Sequence, residues 1–378
     1  MDLNALVLCT DDKIIRVLRR VLSDLEVGIE TCTDADSAVR RLTRTRFEAV
    51  VVDCADQDVA AKVLSSVRSA PCNKRAIAVA MIDGQTAVRS AFALGAHFVL
   101  YKPVNFERAR SSFRAARALM KCERRRNVRV PVEIPVTLFA GADQQRITTL
   151  DISEGGMAVH VPRYIPRNRG VRIRFTLPDV DYAVECAAEI AWKNPGSNTG
   201  VRFLELSREH RQQLKTWLAR HSPEIEPDDP PLSCNLTDVS AAACYLETSA
   251  PFPARTRVVL TMQRGSVRIP VEGVVRVMHP EVGMGVEFTQ NADEQQAQAG
   301  KFVQAMKAGT SSLEFTVLPE GMDDEDVSGA AVEPLAQIED PLLNLFRRSA
   351  ELTSESFREE LRAQRRARPA SQSASAAV

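Results

Sequence analysis

Five residues in two short segments have side chains suited to holding an anionic, hydrogen-bonding ligand. Arg125 and Arg129 stand four positions apart in a basic run, and Asp151, Ser153 and Gly156 follow later in the chain. A guanidinium group can pair with two phosphate oxygens or with the O6 and N7 edge of guanine. A carboxylate and a hydroxyl can accept hydrogen bonds from base donors. The residue types therefore favour ligand recognition.

Each segment taken alone has a simpler explanation. A basic run is common in solvated linkers and in nonspecific phosphate-binding patches. Asp151 and Ser153 could satisfy the donors of a local turn. Their alternation along one strand would also place both side chains on the same face. Gly155 and Gly156 would permit a positive φ and a close approach of the ligand.

Together the two segments resemble the signatures of the PilZ family. The R-x-x-x-R signature is met by Arg125 and Arg129 within Glu123-Arg124-Arg125-Arg126-Asn127-Val128-Arg129, and the D-x-S-x-x-G signature by Asp151-Ile152-Ser153-Glu154-Gly155-Gly156. The resemblance covers residues 121–222 and implies a small antiparallel β-barrel that binds cyclic di-GMP. It implies that the ligand-binding residues are Arg125, Arg129, Asp151, Ser153 and Gly156, and an arginine before the motif, here Arg124, is associated in this family with a stacked ligand dimer.

The pattern of residues 121–222 agrees with a barrel. Period-two alternation, typical of antiparallel strands, runs through five segments: Val128 to Phe139, Ile147 to Val161, Val171 to Leu177, Tyr182 to Trp192 and Gly200 to Leu204. A helix is predicted from Ser207 to Arg220, with Ser207 as its N-cap.

Residues 1–120 instead alternate short β-branched runs with helical patterns, which predicts a doubly wound parallel sheet. Asp53 follows one strand and Lys102 follows another, so a carboxylate and an ammonium should converge at the carboxyl edge of the sheet. This layout resembles the receiver domain of two-component response regulators, which implies that Asp53 is the phosphoacceptor and Lys102 the phosphate-pairing lysine.

The receiver-like segment departs from its family where the metal would bind. Cys9 and Thr10 stand in place of the usual acidic pair, and Met81 or Ala80 stands where a Ser or Thr is expected. Because Mg²⁺ prefers hard oxygen ligands, a thiol and a hydroxyl are poor substitutes for two carboxylates. The departures favour a pseudo-receiver that serves as a docking or dimerisation scaffold, with genuine phosphorylation as the alternative.

Residues 223–310 repeat part of the barrel pattern. Cys234 to Ser240 echoes Thr149 to Ser153, and Gly283 to Phe288 echoes Thr199 to Phe203. The copy has Ala243 at the glycine position and lacks the R-x-x-x-R signature. Its acidic lead-in would repel phosphates, so we expect a degenerate PilZ-like barrel with a packing role.

The remaining chain is expected to be an acidic linker over 311–340, an amphipathic helix over 341–368 and a disordered end over 369–378. The helix should start at Asp340-Pro341, and it could dock a partner or the membrane surface or stay exposed to solvent.

Composition narrows the function classes. Zero formal net charge gives the chain no overall field to attract nucleic acid, and the eight cysteines show no zinc-ligand spacing, so no metal site and reduced thiols are expected. The lack of a long apolar run predicts no leader and no membrane span, hence a cytoplasmic location. The five histidines lie near no nucleophile motif, which argues against an enzyme.

The first hypothesis is therefore a cyclic di-GMP receptor in bacterial signal transduction. The ligand would close the arm Lys121 to Arg129 onto the barrel and reposition the receiver-like domain, whose last helix is expected over Asn105 to Met120. The alternatives are a response regulator driven by phosphorylation of Asp53, and nonspecific nucleic-acid binding through the arginines. No cofactor is expected, the downstream protein partner is not indicated, and a homodimer is left open.

Overall fold

The computed structural model describes residues 3–84, 87–141, 143–161, 170–194, 198–222, 225–264, 267–289, 293–307, 314–322, 340–349 and 352–367. The chain divides into two compact units. One comprises Lys121–Asp228, and the other combines Asp2–Met120 with Asp229–Val378. The expected pieces at 323–339 and 368–378 lie outside the described residues.

The first 120 residues form a five-stranded parallel sheet with helices on both faces. Its strands are β1 (Leu3–Leu8), β2 (Val27–Cys32), β3 (Ala49–Asp53), β4 (Ile77–Ile82) and β5 (Phe98–Tyr101), in the order β2-β1-β3-β4-β5. This is the strand order of the doubly wound receiver-type fold, which confirms the predicted fold class. The strands are buried on both faces, which explains their nearly continuous apolar runs.

The helices of this segment are α1 (Asp12–Asp24), α2 (Ala35–Arg44), α3 (Gln57–Ser69), α4 (Val88–Ala93) and α5 (Phe106–Asn127). One core cluster joins α1 and α5 to one face of the sheet, and another joins α2 and α3 to the opposite face.

Helix α5 is longer than expected. The predicted helix ended at Met120 and was followed by a separate arm, but the described helix continues to Asn127 and includes Arg124 and Arg125. Arginine, lysine and glutamate are good helix formers, and no Gly or Pro interrupts the segment, so nothing local ends the helix. The arginine run is therefore the last two turns of a long helix.

The first barrel is built by β7 (Pro135–Ala140), β8 (Asp143–Ser153), β9 (Gly156–His160), β10 (Val171–Phe175), β11 (Val184–Lys193) and β12 (Asn198–Glu205). These strands close into a ring because β8 pairs with both β7 and β9, and the short strand β6 (Val130–Pro131) adds to β8. Helix α6 (Arg208–His221), capped by Ser207, packs Leu214, Trp217 and Leu218 into the barrel core.

The second barrel closes in the order β13-β14-β17-β16-β15-β18. Its strands are β13 (Leu232–Val239), β14 (Ala243–Glu247), β15 (Thr256–Arg264), β16 (Val267–His279), β17 (Gly283–Phe288) and β18 (Glu314–Met322), with α7 (Asp293–Lys307) between the last two. Its interior is continuous with the apolar cluster that holds α1 and α5.

Strand β18 corrects the expected linker over 311–340. It pairs with β13 and β15, as β7 pairs with β8 and β10 in the first barrel. The second barrel thus has the same strand arrangement with its sixth strand contributed from after α7. The buried positions Phe315 and Val317 alternate with more exposed ones, as a half-buried strand requires, and β13 and β15 would otherwise be left with open edges.

The predicted helix over 341–368 is two helices, α8 (Pro341–Arg348) and α9 (Ser354–Ala367). The Asp340 side chain caps α8 by accepting from the backbone N–H groups of Leu342 (2.9 Å) and Leu343 (3.2 Å). Both helices bury an apolar face against the second barrel, so they are not a solvent-exposed helix. In the described part of the chain, no helix is long and apolar enough to cross a membrane.

Candidate ligand-binding site

The R-x-x-x-R and D-x-S-x-x-G segments meet on the first barrel. Arg129 lies just after α5, and its Nη1 donates to Oδ1 of Asp151 at 2.6 Å. Strand β6 continues this contact by pairing Val130 with Ile152 and Pro131 with Asp151. The chain thus brings together the residues that the sequence singled out.

Ser153 and Gly156 face each other across the β8–β9 turn. The Ser153 hydroxyl donates to the Gly156 carbonyl at 3.0 Å, and only 2% of Ser153 is exposed. Ser153 therefore stabilises the turn, which is the local role that the sequence analysis gave as the alternative to ligand binding.

Gly156 is required for a different reason than expected. Neither Gly155 nor Gly156 adopts a positive φ. A Cβ built on Gly156 would instead lie 2.2 Å from the carbonyl oxygen of Val201, which is backbone and cannot move aside alone. The glycine lets β12 approach β9 closely.

Arg125 is buried among acidic groups. Its side chain is 7% exposed, its Nε lies 3.4 Å from Oε2 of Glu154, and its Nη1 pairs with the carboxylate of Asp228. Burial alone would lower the pKa of Arg125, but Cys122, Glu154 and Asp228 together raise it. The guanidinium is therefore a fixed positive charge that is already occupied by carboxylates.

The neighbouring arginines have different surroundings. Arg124 is buried, and its Nη1 has no hydrogen-bond partner among the described residues. Nη1 of Arg126 donates to Oε1 of Glu123 at 3.2 Å. The basic run is thus not one uniform exposed patch.

A row of four paired residues crosses the outside of the barrel next to Asp151. Asp151 is opposite Ala158, Ala158 is opposite Gly200, and Gly200 is opposite Trp192. Since neighbouring strands are about 4.8 Å apart, the row spans about 14 Å. Small residues occupy its middle, so the row is a shelf with a carboxylate at one end and an indole at the other.

Trp192 is the residue of this row that sequence reasoning missed. It is 38% exposed, and its ring lies against Gly200, where an added Cβ would come within 2.1 Å of the indole Nε1. Its flat ring offers a surface on which a nucleobase can stack. Alternation from Cys186, Ala188 and Ile190 would place Trp192 on the inward face, and the irregularity between Ile190 and Trp192 turns it outward, so the strand pattern alone did not point to it.

The second barrel has the matching row, but it is covered. Asp238 is opposite Tyr245, Tyr245 is opposite Gly285, and Gly285 is opposite Val277. The ring of Phe346 from α8 lies over Gly285, where an added Cβ would be 2.5 Å from its Cζ. The chain's own C-terminal helices therefore cover this face of the second barrel.

The receiver-like sheet brings Asp53 and Lys102 together at its carboxyl edge. The Nζ of Lys102 donates to Oδ1 of Asp53 at 2.5 Å and lies 3.6 Å from Oδ2 of Asp83. Burial would lower the pKa of Lys102, but its contacts with the two carboxylates raise it.

Cys9, in the place of an acidic residue, lies 3.8 Å from Oδ2 of Asp53, and burial raises the pKa of its thiol. Asp11 could have supplied an oxygen ligand, but its Oδ1 caps α1 by accepting from the N–H of Lys13 at 2.7 Å. Across the described ranges, no group of three or more His, Cys, Asp or Glu residues is placed to hold a metal.

Comparison with known families agrees with this geometry. Residues 123–220 and 218–305 both match the PilZ domain. The chain contains two PilZ domains. The first PilZ domain carries the shelf that ends at Trp192, and the second PilZ domain carries the matching row under Phe346. None of the curated proteins compared with the chain matches it.

Solved structures similar to parts of the chain include a receiver domain, a response regulator and a PilZ domain. The receiver domain of the sensor histidine kinase PA1611 from Pseudomonas aeruginosa PAO1 is 18% identical, covers 32% of this chain and 98% of its own, and has a TM-score of 0.29. The chemotaxis response regulator CheY4 of Vibrio cholerae is 19% identical, covers 31% of this chain and 99% of its own, and has a TM-score of 0.28. The PilZ domain of CeSA from a cellulose synthesizing bacterium is 21% identical, covers 25% of this chain and 97% of its own, and has a TM-score of 0.22.

Proposed function

We propose that the chain is a non-enzymatic receptor for cyclic di-GMP and that the ligand lies on the shelf of the first PilZ domain. The observation that carries the proposal is the row from Asp151 to Trp192, which joins a base acceptor and a stacking surface across small residues. The two PilZ signatures and Arg129 lie at its carboxylate end.

Each residue has a role in this proposal. The Asp151 carboxylate would accept from N1 and N2 of one guanine, and Arg129, released from Asp151, would pair with a phosphate or with the O6 and N7 edge. The Trp192 ring would stack on the second base, a contact worth about 1–3 kcal/mol. Ser153 and Gly156 would shape the turn that supports these contacts.

Arg125 and Arg124 would supply further charge to the phosphates. Arg125 can do so only by exchanging a carboxylate partner, since it is buried and paired in the ligand-free protein. Arg124 has a buried nitrogen with no partner in the described part of the chain, which suits a role in a stacked ligand dimer.

The moving element would be the end of α5 instead of an unstructured arm. Because α5 runs from Phe106 to Asn127 without a break, a shift in its last turns is passed to the residues that begin the same helix. Ligand closure over the first PilZ domain would thereby reposition the receiver-like domain. A protein of this kind would act in the cytoplasm on a downstream partner.

Calorimetric titration of cyclic di-GMP into the full chain tests the proposal. Arg129→Ala and Arg125→Ala should each weaken binding roughly 10- to 150-fold, because each loses a charge-assisted hydrogen bond worth about 1.5–3 kcal/mol. Arg172→Ala is the matched control, because Arg172 is exposed on the same barrel and paired with Glu185. Cyclic di-AMP and GTP should not compete, and a wild-type protein that does not bind cyclic di-GMP would reject the proposal.

A phosphorylation-driven response regulator is the second candidate, and the contact between Asp53 and Lys102 favours it. Incubation with a small-molecule phosphodonor and Mg²⁺ should label the wild type but not Asp53→Ala if this candidate holds. The absence of label in the wild type, or its persistence in Asp53→Ala, would exclude it. Nonspecific nucleic-acid binding is disfavoured, since Arg124 and Arg125 are buried and Arg126 is paired with Glu123.

A further inference from the structure

The segment that leaves the first PilZ domain lies against the arginine end of α5. We call residues 225–228 the strap. Ile225 packs on the core of the first barrel. The Nζ of Lys121 lies 3.3 Å from Oε2 of Glu226 and donates to the carbonyl of Pro227 at 3.2 Å. One residue later, Asp228 pairs with Arg125.

Arg125 thus lies between two carboxylates that belong to different parts of the domain. Glu154 is buried in the D-x-S-x-x-G segment and is held from its other oxygen by Lys215, at 3.5 Å. Its side chain is 7% exposed, so it is fixed in place. Asp228 is 35% exposed and lies outside any helix or strand. Of the two carboxylate partners of Arg125, Asp228 is the one that can leave.

A phosphate and a carboxylate make the same kind of contact with a guanidinium group, because both present paired anionic oxygens to its N–H donors. Asp228 therefore occupies on Arg125 the position that a ligand phosphate would need. With Glu154 and Asp228 both in place, the phosphate would be a third anion at one buried cation, which like-charge repulsion opposes.

We propose that Asp228 is a built-in competitor that the ligand must displace from Arg125, so that the strap sets the affinity of the first PilZ domain. This inference rests on the proposed function. It also assigns a role to the acidic stretch before the second PilZ domain. In the ligand-free chain that stretch pairs with Arg125 and Lys121.

The competition between Asp228 and the ligand takes place beside the points where the chain crosses from one compact unit to the other. The chain passes between the two compact units at Met120–Lys121 and again at Asp228–Asp229. Lys121 follows the first crossing, and Asp228 precedes the second. Both residues take part in the contacts between the strap and α5. A ligand that takes Arg125 from Asp228 would therefore loosen the strap next to a crossing, which gives a route from binding to output.

The test compares cyclic di-GMP affinity in the full-length wild type and in Asp228→Asn, which keeps the shape of the side chain but removes its charge. Binding should tighten roughly 3- to 30-fold, the range between an exposed and a buried ion pair. Glu185→Gln removes the same charge from the ion pair with Arg172 elsewhere on the barrel, and its affinity should stay at the wild-type value. Equal or weaker binding by Asp228→Asn would overturn the inference.

Amide exchange at Ile225, whose backbone N–H donates to the Ser222 carbonyl at 3.2 Å, provides a second readout that can be taken in the wild type itself. In the wild type, saturating cyclic di-GMP should speed exchange there, and in Asp228→Asn exchange should be fast without ligand. Unchanged protection of the strap in the saturated wild type would also overturn the inference.

The outcomes separate the two proposals. Wild-type binding that depends on Arg125 but is not improved by Asp228→Asn rejects the competitor and leaves the receptor standing. Wild-type binding that depends on Arg125 and tightens in Asp228→Asn supports both proposals. Binding by neither protein rejects the receptor, and with it the competitor.

Discussion

Phe357 should be the anchor that holds the C-terminal helices on the second PilZ domain. It is fully buried, and its ring centroid lies 4.4 Å from that of His279, 5.5 Å from that of Tyr245 and 6.3 Å from that of Phe346. Replacing a buried Phe by Ala typically costs about 3–5 kcal/mol, through lost transfer energy and the cavity that remains. We expect Phe357→Ala to make the free energy of docking α9 on the second PilZ domain less favourable by this amount.

Hydrogen exchange measures this local free energy without requiring the whole chain to unfold in one step. A loss of about 3–5 kcal/mol should reduce the protection of α9 amides by roughly two to three and a half orders of magnitude. Glu359→Ala is the matched control, because Glu359 is exposed on the same helix and its replacement should change stability by less than about 0.5 kcal/mol.

Similar protection of α9 in Phe357→Ala and Glu359→Ala would refute the argument. It would mean that burial of the Phe357 ring is not what holds the helices. Unchanged protection of β1 and β3 in the receiver-like sheet is expected in both variants, because these strands do not contact α9.

Three further changes have defined outcomes. Burial, with Arg358 nearby, lowers the pKa of His279 to about 4 from its ordinary value of 6.5. The fold therefore favours neutral His279, and stability should fall by up to about 3 kcal/mol as the pH drops from 6.5 to 4, a slope that thermal denaturation of His279→Phe should lack. Trp192→Ala should weaken cyclic di-GMP binding roughly 5- to 150-fold by calorimetry, while Trp192→Phe keeps most of it. Ala158→Tyr, which copies the residue of the second domain, should abolish binding measured by calorimetry, and full affinity would place the ligand elsewhere.

The sheet of the receiver-like segment was predictable because its strands are buried on both faces. Such strands are continuous apolar runs, and Asp53 and Lys102 follow two of them directly. The carboxyl ends of parallel strands meet at one edge, so the contact between these residues follows from the pattern alone. Whether the edge binds Mg²⁺ depends on what replaces the acidic pair, and the sequence already showed Cys9 there.

The end of α5 and strand β18 both differ from the prediction. The run after Met120 changes from apolar to charged, which predicted a separate arm, although charged residues continue a helix well. The acidic composition around Glu314 and Glu320 predicted a linker, although Phe315 and Val317 alternate with more exposed residues there. Helix propensity decides the structure of the first segment, and alternation decides that of the second.

The shelf itself could not be predicted from the sequence, because it depends on the register of four strands. Asp151 and Trp192 are far apart in the chain and meet only through Ala158 and Gly200. A bulge between Thr149 and Asp151 and another between Ile190 and Trp192 help to set which residues face each other. Bulges of this kind leave little trace in a single sequence.

The two PilZ domains show how one fold is used in two ways by changing a few outward positions. The shelf of the first domain has Ala158 at its centre and Trp192 at its end, where the second domain has Tyr245 and Val277. The tyrosine fills the centre, and the valine leaves room for Phe346.

Removing the C-terminal helices would not make the second domain a receptor. Tyr245 would still occupy the centre of its shelf, and the residues that lead into β13 are acidic where the first domain has arginines. The exposed face would be apolar instead of cationic, which suits a helix and not a nucleotide. The charge of the lead-in therefore distinguishes the two domains as clearly as the shape of the shelf, because its Asp228 is paired with Arg125 of the first domain.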